Sequence, residues 1–384
     1  MKKTIKLYDA DSHMKNFSAV VVSCVKTEDG RYDVVLDRTA FFPESGGQSA
    51  DKGRIGDFKV GDVQINDGEI HHFTDVPLDL GREYGCEIDF ETRFRRMQNH
   101  TGEHIISGII HKLFGYDNVG FHMGEDFVTA DFNGVLTEAD VKKVELLANR
   151  AVYENVPVKA EYPAPEKLAS MEYRSKLDLT EDVRIVTIEG YDACACCAPH
   201  VSRTGEIGII KLYEFVGNKG GTRINMLCGF DALEDYERRY DLIHGISKEL
   251  SIKQSDIGRA FERLKTEIAE LKQKNYELRT ELFEYKISGL TYRDGNLIFF
   301  EEGLSQTDIR KLMNRGLEYC GGICAVFSGN DDSGYNFCAS SKRGGMKTVS
   351  EKMREKLGAK CGGSDEMIQG SVGKIKDEIK IFLK

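Results

Sequence analysis

Two pairs of metal-binding side chains constrain this sequence more than any other feature. His100 and His104 stand four residues apart, which places both imidazoles on one face of a helix and within reach of a single ion. Cys196 and His200 have the same separation, with Pro199 between them, and the proline favours a tight loop over a helix. Three imidazoles and a thiolate suit zinc better than magnesium or calcium. The sequence therefore predicts one zinc site with ligands from two distant segments.

Two further thiols stand beside the predicted ligand Cys196. Cys194 and Cys197 are alternative thiolate donors, although neither keeps the four-residue spacing to His200. Structural zinc sites take four protein ligands, whereas catalytic sites keep one position open. The spacing alone leaves open which thiol binds and whether all four ligands bind at once.

The length and the residue pattern predict several domains of a mixed α+β class. A chain of 384 residues is too long for one ordinary hydrophobic core. Short β-rich runs separated by glycine turns predict a small N-terminal β-barrel over residues 1–90. Residues 91–230 begin with a helical pattern, from Arg93 to Phe114, and continue with strand-like stretches, which predicts an α+β core that contains the zinc site. Residues 288–384 alternate between strand and helix patterns and predict a separate C-terminal α/β domain.

Between these parts, residues 231–287 are helical and highly charged. Apolar side chains repeat there with heptad spacing, which predicts coiled-coil helices and a homodimer formed through them. A helical hairpin within one chain is the alternative. Asn275 at a core position is a usual device for fixing the register of two strands. The a positions hold Phe261, Ile268, Asn275 and Leu282, and the d positions hold Leu264, Leu271, Leu278 and Tyr285.

The composition excludes several classes of protein. The net charge of -10 argues against a general nucleic-acid coat protein, because phosphate binding is driven by Lys and Arg. Residues 342–384 are locally basic, with eleven Lys and Arg against six Asp and Glu. No apolar stretch is long enough to cross a bilayer, and no signal core follows the N-terminus. We therefore expect a cytoplasmic protein with reduced cysteines and no membrane contact.

With both ligand pairs in place, the chain resembles the editing domain of alanyl-tRNA synthetases and the freestanding alanyl-tRNA editing proteins. The family pattern is a His-x-x-x-His helix followed by Cys-x-x-x-His. Further matches cover Asp37–Gln48 and His200–Gly208. A coiled-coil helix followed by a small domain with glycine pairs is similar to the C-terminal domain of the same synthetases, so the resemblance extends over nearly the whole chain. No stretch before the barrel is long enough for an aminoacylation domain, and we expect no aminoacylation activity.

The chain departs from the family pattern in one loop. The second motif usually reads Cys-Gly-Gly-Thr-His, whereas Cys197, Ala198 and Pro199 occupy its middle positions here. The bulkier loop is expected to narrow or reshape the pocket. Amino-acid specificity is the property that this departure affects most.

The resemblance implies a trans-editing hydrolase that removes serine, and possibly glycine, from mischarged tRNA(Ala) with the help of Zn²⁺. A site with polar side chains can select for the hydroxyl of serine far more strongly than an apolar pocket can exclude that hydroxyl. The ion would either activate a water molecule or hold the amino acid beside a water that it does not bind. We favour the second role, because four protein ligands leave few open coordination positions. The residues that we expect to take part in catalysis are Glu103, Gln48 and Thr39. Glu103 is a candidate general base or a hydrogen-bond partner of the metal ligands, with an ordinary glutamate on the helix surface as the alternative.

Substrate contacts are expected from two glycine-containing turns and from the basic C-terminal segment. Gly46 and Gly47 permit close approach of the terminal ribose and phosphate of the tRNA, with an ordinary β-turn as the alternative. Ser45 contributes a hydroxyl that we expect to contact the substrate. Arg223 follows a second glycine turn, and we expect it to contact a phosphate, with an ordinary hairpin turn as the alternative. Residues 342–384 would hold the body of the tRNA, with a solvated lysine-rich surface as the alternative.

Two other functions fit parts of the sequence. The residues from His100 to His104 also match the H-x-x-E-H pattern of inverted zinc metalloproteases, in which the glutamate is the general base. That hypothesis leaves Cys196 and His200 unexplained. The other alternative is a tRNA-binding protein with a structural zinc, because closed four-ligand sites are usually structural.

Overall fold

The computed structural model describes residues 3–124, 126–175 and 183–384. They form two compact units that divide between Ser251 and Ile252. Both units combine helices with β-sheets, so the predicted mixed α+β class is confirmed. Within these residues, no helix combines the length and the apolar character that crossing a bilayer requires.

A small closed barrel occupies the N-terminal part of the first unit. The elements of this part are β1 (Ile5–Lys6), α1 (Leu7–Ala10), β2 (Asn16–Lys26), β3 (Tyr32–Leu36), β4 (Arg38–Thr39), β5 (Gly53–Ile55), β6 (Phe58–Asn66), β7 (Glu69–Thr74) and β8 (Glu83–Ile88). The barrel is closed by β2, β3, β7, β6, β5 and β8 in that order. Along β8, buried Tyr84, Cys86 and Ile88 alternate with exposed residues, as expected of a strand with one face on a core.

The long helix α2 (Phe90–Phe114) directly follows the barrel. Asp89 caps its first turn by accepting a hydrogen bond from the backbone N–H of Thr92, and Gly115 ends it in a left-handed conformation with φ 71°. All residues of α2 from Met97 to Ile110 are buried. The polar side chains in this part of the helix, including both histidines, are therefore held away from water.

Two sheets and three helices complete the first unit. They consist of β9 (Asn118–Met123), β10 (Val128–Phe132), α3 (Glu138–Glu154), β11 (Val158–Glu161), α4 (Pro165–Ser170), β12 (Ile185–Ile188), β13 (Asp192–Ala195), β14 (Ile210–Asn218), β15 (Gly221–Cys228) and α5 (Gly229–Glu249). One sheet has the order β14-β15-β10-β9 and the other β11-β12-β13. Ile105 and Ile109 of α2 share a hydrophobic core with Ala148 of α3 and Ile224 of β15. The helix α2 also packs against β13, the strand that leads to the second ligand pair.

The second unit consists of one long helix and a five-stranded sheet with three shorter helices. Its elements are α6 (Ile257–Ser288), β16 (Leu297–Glu301), α7 (Gln306–Gly316), β17 (Ile323–Asn330), β18 (Gly334–Ser341), α8 (Met346–Leu357), β19 (Lys360–Gly363), β20 (Met367–Val372) and α9 (Lys376–Phe382). The sheet order is β16-β17-β18-β20-β19. The boundary between the units falls inside the predicted helical segment 231–287, so α5 and α6 belong to different units. The finer four-part division stays a prediction.

Candidate metal centre

The structure brings the four predicted metal ligands into one group. His100, His104, Cys196 and His200 each offer a ligand atom, and these atoms all lie within 4.8 Å of one another. The imidazole centroids are 5.3 Å apart for His100 and His104, 4.8 Å for His100 and His200, and 4.6 Å for His104 and His200. All three histidines are buried, and Cys196 is half-buried.

An arginine holds the loop that carries the second ligand pair. The backbone N–H of Cys196 donates to the carbonyl of Arg184 over 3.0 Å. In return, the Arg184 guanidinium donates to the carbonyls of Cys196 and Ala198 over 3.0 and 2.9 Å. This guanidinium is itself buried and lies 3.3 Å from the carboxylate of Asp9. The loop contains Pro199 and is not helical. Arg184 holds it through both its backbone carbonyl and its side chain.

The tautomer of His200 follows from its hydrogen bonds. The Thr101 hydroxyl donates its one proton to the carbonyl of Met97 over 2.7 Å. Because that proton is used, the same oxygen must accept from Nδ1–H of His200, 3.0 Å away. It also accepts from the backbone N–H of Val201 over 3.3 Å. Nε2 of His200 therefore keeps its lone pair for a metal.

The other two histidines are held in the same way by acceptors behind them. Nδ1 of His100 lies 2.9 Å from Oε1 of Gln48, and Nδ1 of His104 lies 3.0 Å from Oδ2 of Asp192. Arg174 donates two hydrogen bonds to Asp192, of 2.8 and 2.9 Å. Burial raises the pKa of Asp192, but the contacts with His104 and Arg174 outweigh burial and keep it lowered. Both imidazoles therefore direct Nε2 toward the centre of the group.

The charges in the group favour a thiolate with a cation beside it. Burial raises the pKa of Cys196, but the neighbouring imidazoles of His100 and His200 outweigh burial and hold it well below its usual value. Burial lowers the pKa of His200 to about 3, so that imidazole is neutral. Burial also lowers the pKa of His104, but its hydrogen bonds to Asp192 and Cys196 raise it well above its usual value. A divalent cation would supply the positive charge that these surroundings favour.

The donor set fits a zinc ion. Imidazole nitrogens and cysteine sulfur are ligands that zinc takes in four-coordinate sites, and each imidazole has the outer hydrogen bond that metal-binding histidines normally make. The two other nearby thiols lie outside this group of four. Cys194 is buried and groups with His104 and Asp192, while the exposed Cys197 lies beside Ser45, with 3.4 Å between Sγ and Oγ.

Comparisons with known proteins show the family of the chain. Residues 183–225 match the model of the threonyl and alanyl tRNA synthetase second additional domain. The alanyl-tRNA editing protein AlaX-L of Pyrococcus horikoshii is 30% identical over 405 aligned residues, which cover 97% of this chain and 96% of the relative. The chain belongs to the alanyl-tRNA editing protein family.

Other relatives extend this family assignment. The alanyl-tRNA editing protein Aarsd1 of Rattus norvegicus is 29% identical and aligns over 72% of this chain and 71% of its own length. The alanine–tRNA ligase of Ignicoccus hospitalis is 32% identical over 76% of this chain, which corresponds to 33% of the ligase. The predicted resemblance to editing proteins over nearly the whole chain is therefore confirmed.

The barrel turn from Ser45 to Gln48 lies against the centre. The backbones of Ser45 and Gln48 exchange hydrogen bonds of 3.1 and 3.0 Å. A Cβ on Gly47 would lie 2.7 Å from the carbonyl oxygen of Phe121, and the residue has φ 83°, so only glycine fits there. The Phe121 ring stacks on His100, with centroids 4.9 Å apart. Gly47 thus lets the barrel approach the wall of the metal centre.

Three predicted site residues, Glu103, Thr39 and Arg223, make hydrogen bonds with side chains outside the group of four metal ligands. The buried carboxylate of Glu103 accepts hydrogen bonds from Ser107 and Asn118. The Thr39 hydroxyl is buried in the barrel, 2.8 Å from Nε2 of His72.

Arg223, on β15, makes a bidentate ion pair with Asp131, with two contacts of 2.7 Å. Its side chain is exposed. Its phosphate-binding role stays a prediction, and any phosphate would have to compete with this carboxylate.

A buried ion pair connects the barrel with α2, and it is not part of any motif recognised in the sequence. Arg93 makes two hydrogen bonds of 2.9 Å to the carboxylate of Asp51, and it also donates to the carbonyls of Ala40 and Ser12. The Ser12 hydroxyl in turn donates to the carbonyl of His200 over 2.7 Å. The helix, the barrel loop and the ligand loop are therefore held by one set of hydrogen bonds.

Proposed function

We propose that this protein is a zinc-dependent trans-editing hydrolase that removes serine, and also glycine, from mischarged tRNA(Ala). As a member of the alanyl-tRNA editing family, it is a hydrolase of aminoacyl-tRNA. The observation that carries the proposal is the convergence of three imidazole Nε2 atoms and one thiolate within 4.8 Å. Zinc bound there would act as a Lewis acid and as a fixed point for the amino acid beside the ester.

The exposure of the ligands supports a reaction at one side of the centre. His100, His104 and His200 are each 3% exposed, whereas Cys196 is half-buried and Gly46 and Gly47 are exposed. We assign the space between Cys196 and this glycine turn to the aminoacyl end of the tRNA. Glycine at both positions allows a ribose to approach the backbone closely.

Gln48 is the residue that we assign to the ester itself. Its Oε1 holds His100, while its amide nitrogen is buried and has no hydrogen-bond partner among residues 3–124, 126–175 and 183–384. A buried donor without a partner costs free energy. Such a donor is suited to the charge that develops on the ester oxygen during hydrolysis.

Glu103 and Thr39 have supporting roles in this proposal. The Glu103 carboxylate accepts hydrogen bonds from two side chains and is 4% exposed, so we assign it to the support of α2 beside His104. Thr39 stabilises the barrel through His72. Ser45, which is partly exposed beside Cys197, is the hydroxyl that we assign to recognition of the serine side chain.

The second unit is proposed to bind the body of the tRNA. Its basic segment, residues 342–384, contributes Lys352, Lys356 and Lys384 to the wall of a cavity of about 570 Å³. Binding through such lysines should weaken steeply with salt. The cytoplasmic location expected from the sequence follows from this substrate and stays a prediction.

We also propose that α6 forms a coiled coil with a second copy of the chain. Its heptad positions are largely exposed, for example Phe261 at 59%, Leu271 at 59% and Leu278 at 55%. A row of exposed apolar side chains on one helix is costly unless a partner covers it. Leu271→Lys should convert the dimer to a monomer in sedimentation equilibrium, whereas the matched Glu270→Lys should not. A monomeric unmodified protein would contradict the coiled-coil dimer.

The editing activity can be tested with tRNA(Ala) charged with labelled serine, glycine or alanine. We expect release of serine and glycine, little release of alanine, and loss of release in His104→Ala. If the protein binds the tRNA but releases no amino acid, the site is structural and the enzyme proposal is wrong. Cleavage of casein would instead support the metalloprotease hypothesis.

A further inference from the structure

The thiol of Cys197 occupies a defined place at the exposed side of the metal centre. Its Sγ lies 3.4 Å from the hydroxyl of Ser45, and a Cβ on Gly46 would lie 3.9 Å from the same sulfur. Cys197 is exposed although its neighbours Cys196 and Ala198 are half-buried and buried. The ligand loop and the barrel turn thus approach each other at this side chain.

The most accessible ligand of the centre lies next to this contact. The three histidines are each 3% exposed, and Gln48 and Phe121 cover His100. Among the described ligands, only Cys196 is half-buried, and Cys197 adjoins it in the chain. The side chain of Cys197 therefore lies against the barrel turn and next to the ligand that a molecule can approach most easily.

We propose that Cys197 is a specificity-determining residue that limits the size of the amino acid entering the site. This inference rests on the proposed editing function. The side chain narrows the passage between Cys196 and the barrel turn by its volume, and the thiol takes no part in the chemistry. A residue without a side chain at this position would leave Ser45 in place but widen the passage beside it.

Serine and threonine form the sharpest pair of probes, because both carry a hydroxyl and differ by one methyl group. In a fitted pocket such a group is worth about 10- to 200-fold in kcat/KM. In Cys197→Gly, the ratio of threonyl to seryl hydrolysis on tRNA(Ala) should rise about tenfold. Cys197→Ser, which keeps nearly the same size, should retain the wild-type ratio. Cys197→Leu should reduce seryl hydrolysis more than glycyl hydrolysis.

Zinc content and the thermal midpoint of each variant show whether the fold and the centre persist. If Cys197→Gly binds zinc normally and its threonyl to seryl ratio equals that of the wild type, the inference is wrong although the editing function stands. If the wild-type protein hydrolyses none of the charged tRNAs, the editing function itself fails.

Alkylation of the thiol gives a second measurement that does not depend on turnover. The zinc-loaded protein is treated with N-ethylmaleimide, and modification of each cysteine is followed by mass spectrometry. An inert analogue, adenosine with serine attached through a 3′ amide, should slow the modification of Cys197. The partly exposed Cys24 and Cys361 serve as internal controls and should react at unchanged rates. Equal rates for Cys197 with and without the bound analogue would overturn the inference.

Discussion

The carboxylate of Asp192 lies 3.0 Å from Nδ1 of His104 and is held from its other side by Arg174. Because this charged acceptor fixes Nδ1, His104 directs Nε2 toward the other metal ligands. Asp192 stands four residues before Cys196, so the strand that precedes the ligand loop also supports a ligand on α2.

Asp192→Asn should weaken zinc binding. The amide keeps the size of the carboxylate but loses its charge, and loss of such an outer partner typically costs about 10- to 100-fold in metal affinity. Competition with a zinc chelator measures the change. Asp117→Asn is a matched control, because Asp117 makes the same contact with His111 of α2 at an exposed site. An Asp192→Asn protein that binds zinc as tightly as this control would refute the role of Asp192.

Thr101→Val should also weaken zinc binding, by about tenfold. Valine has nearly the same shape as threonine, but it offers no acceptor to Nδ1–H of His200. It also leaves the backbone N–H of Val201 without its 3.3 Å hydrogen bond. Thr101→Ser retains the hydroxyl and should bind zinc like the wild type in the same chelator titration. Equal affinities for the serine and valine variants would show that this hydroxyl does not hold His200.

Arg93→Met should destabilise the first unit. The ion pair with Asp51 is 0% and 1% exposed, and removing one partner of a buried pair costs about 3–5 kcal/mol. Urea unfolding followed by circular dichroism measures this loss. Arg31→Met, which breaks the exposed pair with Asp29, should cost far less, because exposed ion pairs contribute little to stability. Similar losses in the two variants would contradict the anchoring role of Arg93.

His72 should make the barrel less stable in mild acid. Burial lowers its pKa from 6.5 to about 4, against the opposing effect of its hydrogen bond to the Val34 carbonyl. As the pH falls from 6.5 to 4, the unfolded chain takes up a proton at His72 that the folded chain does not. The free energy of unfolding therefore falls by about 3 kcal/mol across this window, and the contribution of His72 is constant below it.

His72→Gln measures this contribution, because glutamine can replace both hydrogen bonds and does not titrate. The pH dependence of its urea midpoint between pH 4 and 6.5 should be shallower than that of the wild type. The neighbouring His71 and Asp33 pair is present in both proteins and cancels in the comparison. Identical slopes would show that His72 is not held neutral in the fold.

The ligands could be predicted from the sequence because their spacing is a local property. His104 follows His100 by four positions on one helix, and Cys196 and His200 have the same spacing in a short proline-containing loop. Thr101 and Asp192 could not be predicted, because their roles depend on contacts with residues 99 and 88 positions away. Thr39 was expected at the site from its motif, and its role there stays a prediction. The sequence could not predict that its hydroxyl lies 2.8 Å from Nε2 of His72, because this contact joins residues 33 positions apart.

The most direct test of the central claim is to measure bound zinc and seryl-tRNA(Ala) hydrolysis on the same samples. The wild-type protein should contain one zinc per chain, lose it and the activity to a chelator, and recover both together when zinc is added. Cys196→Ala should lower both, whereas Cys194→Ala should retain both. Full hydrolysis by the zinc-free protein, or zinc binding and activity that survive in Cys196→Ala, would contradict the account.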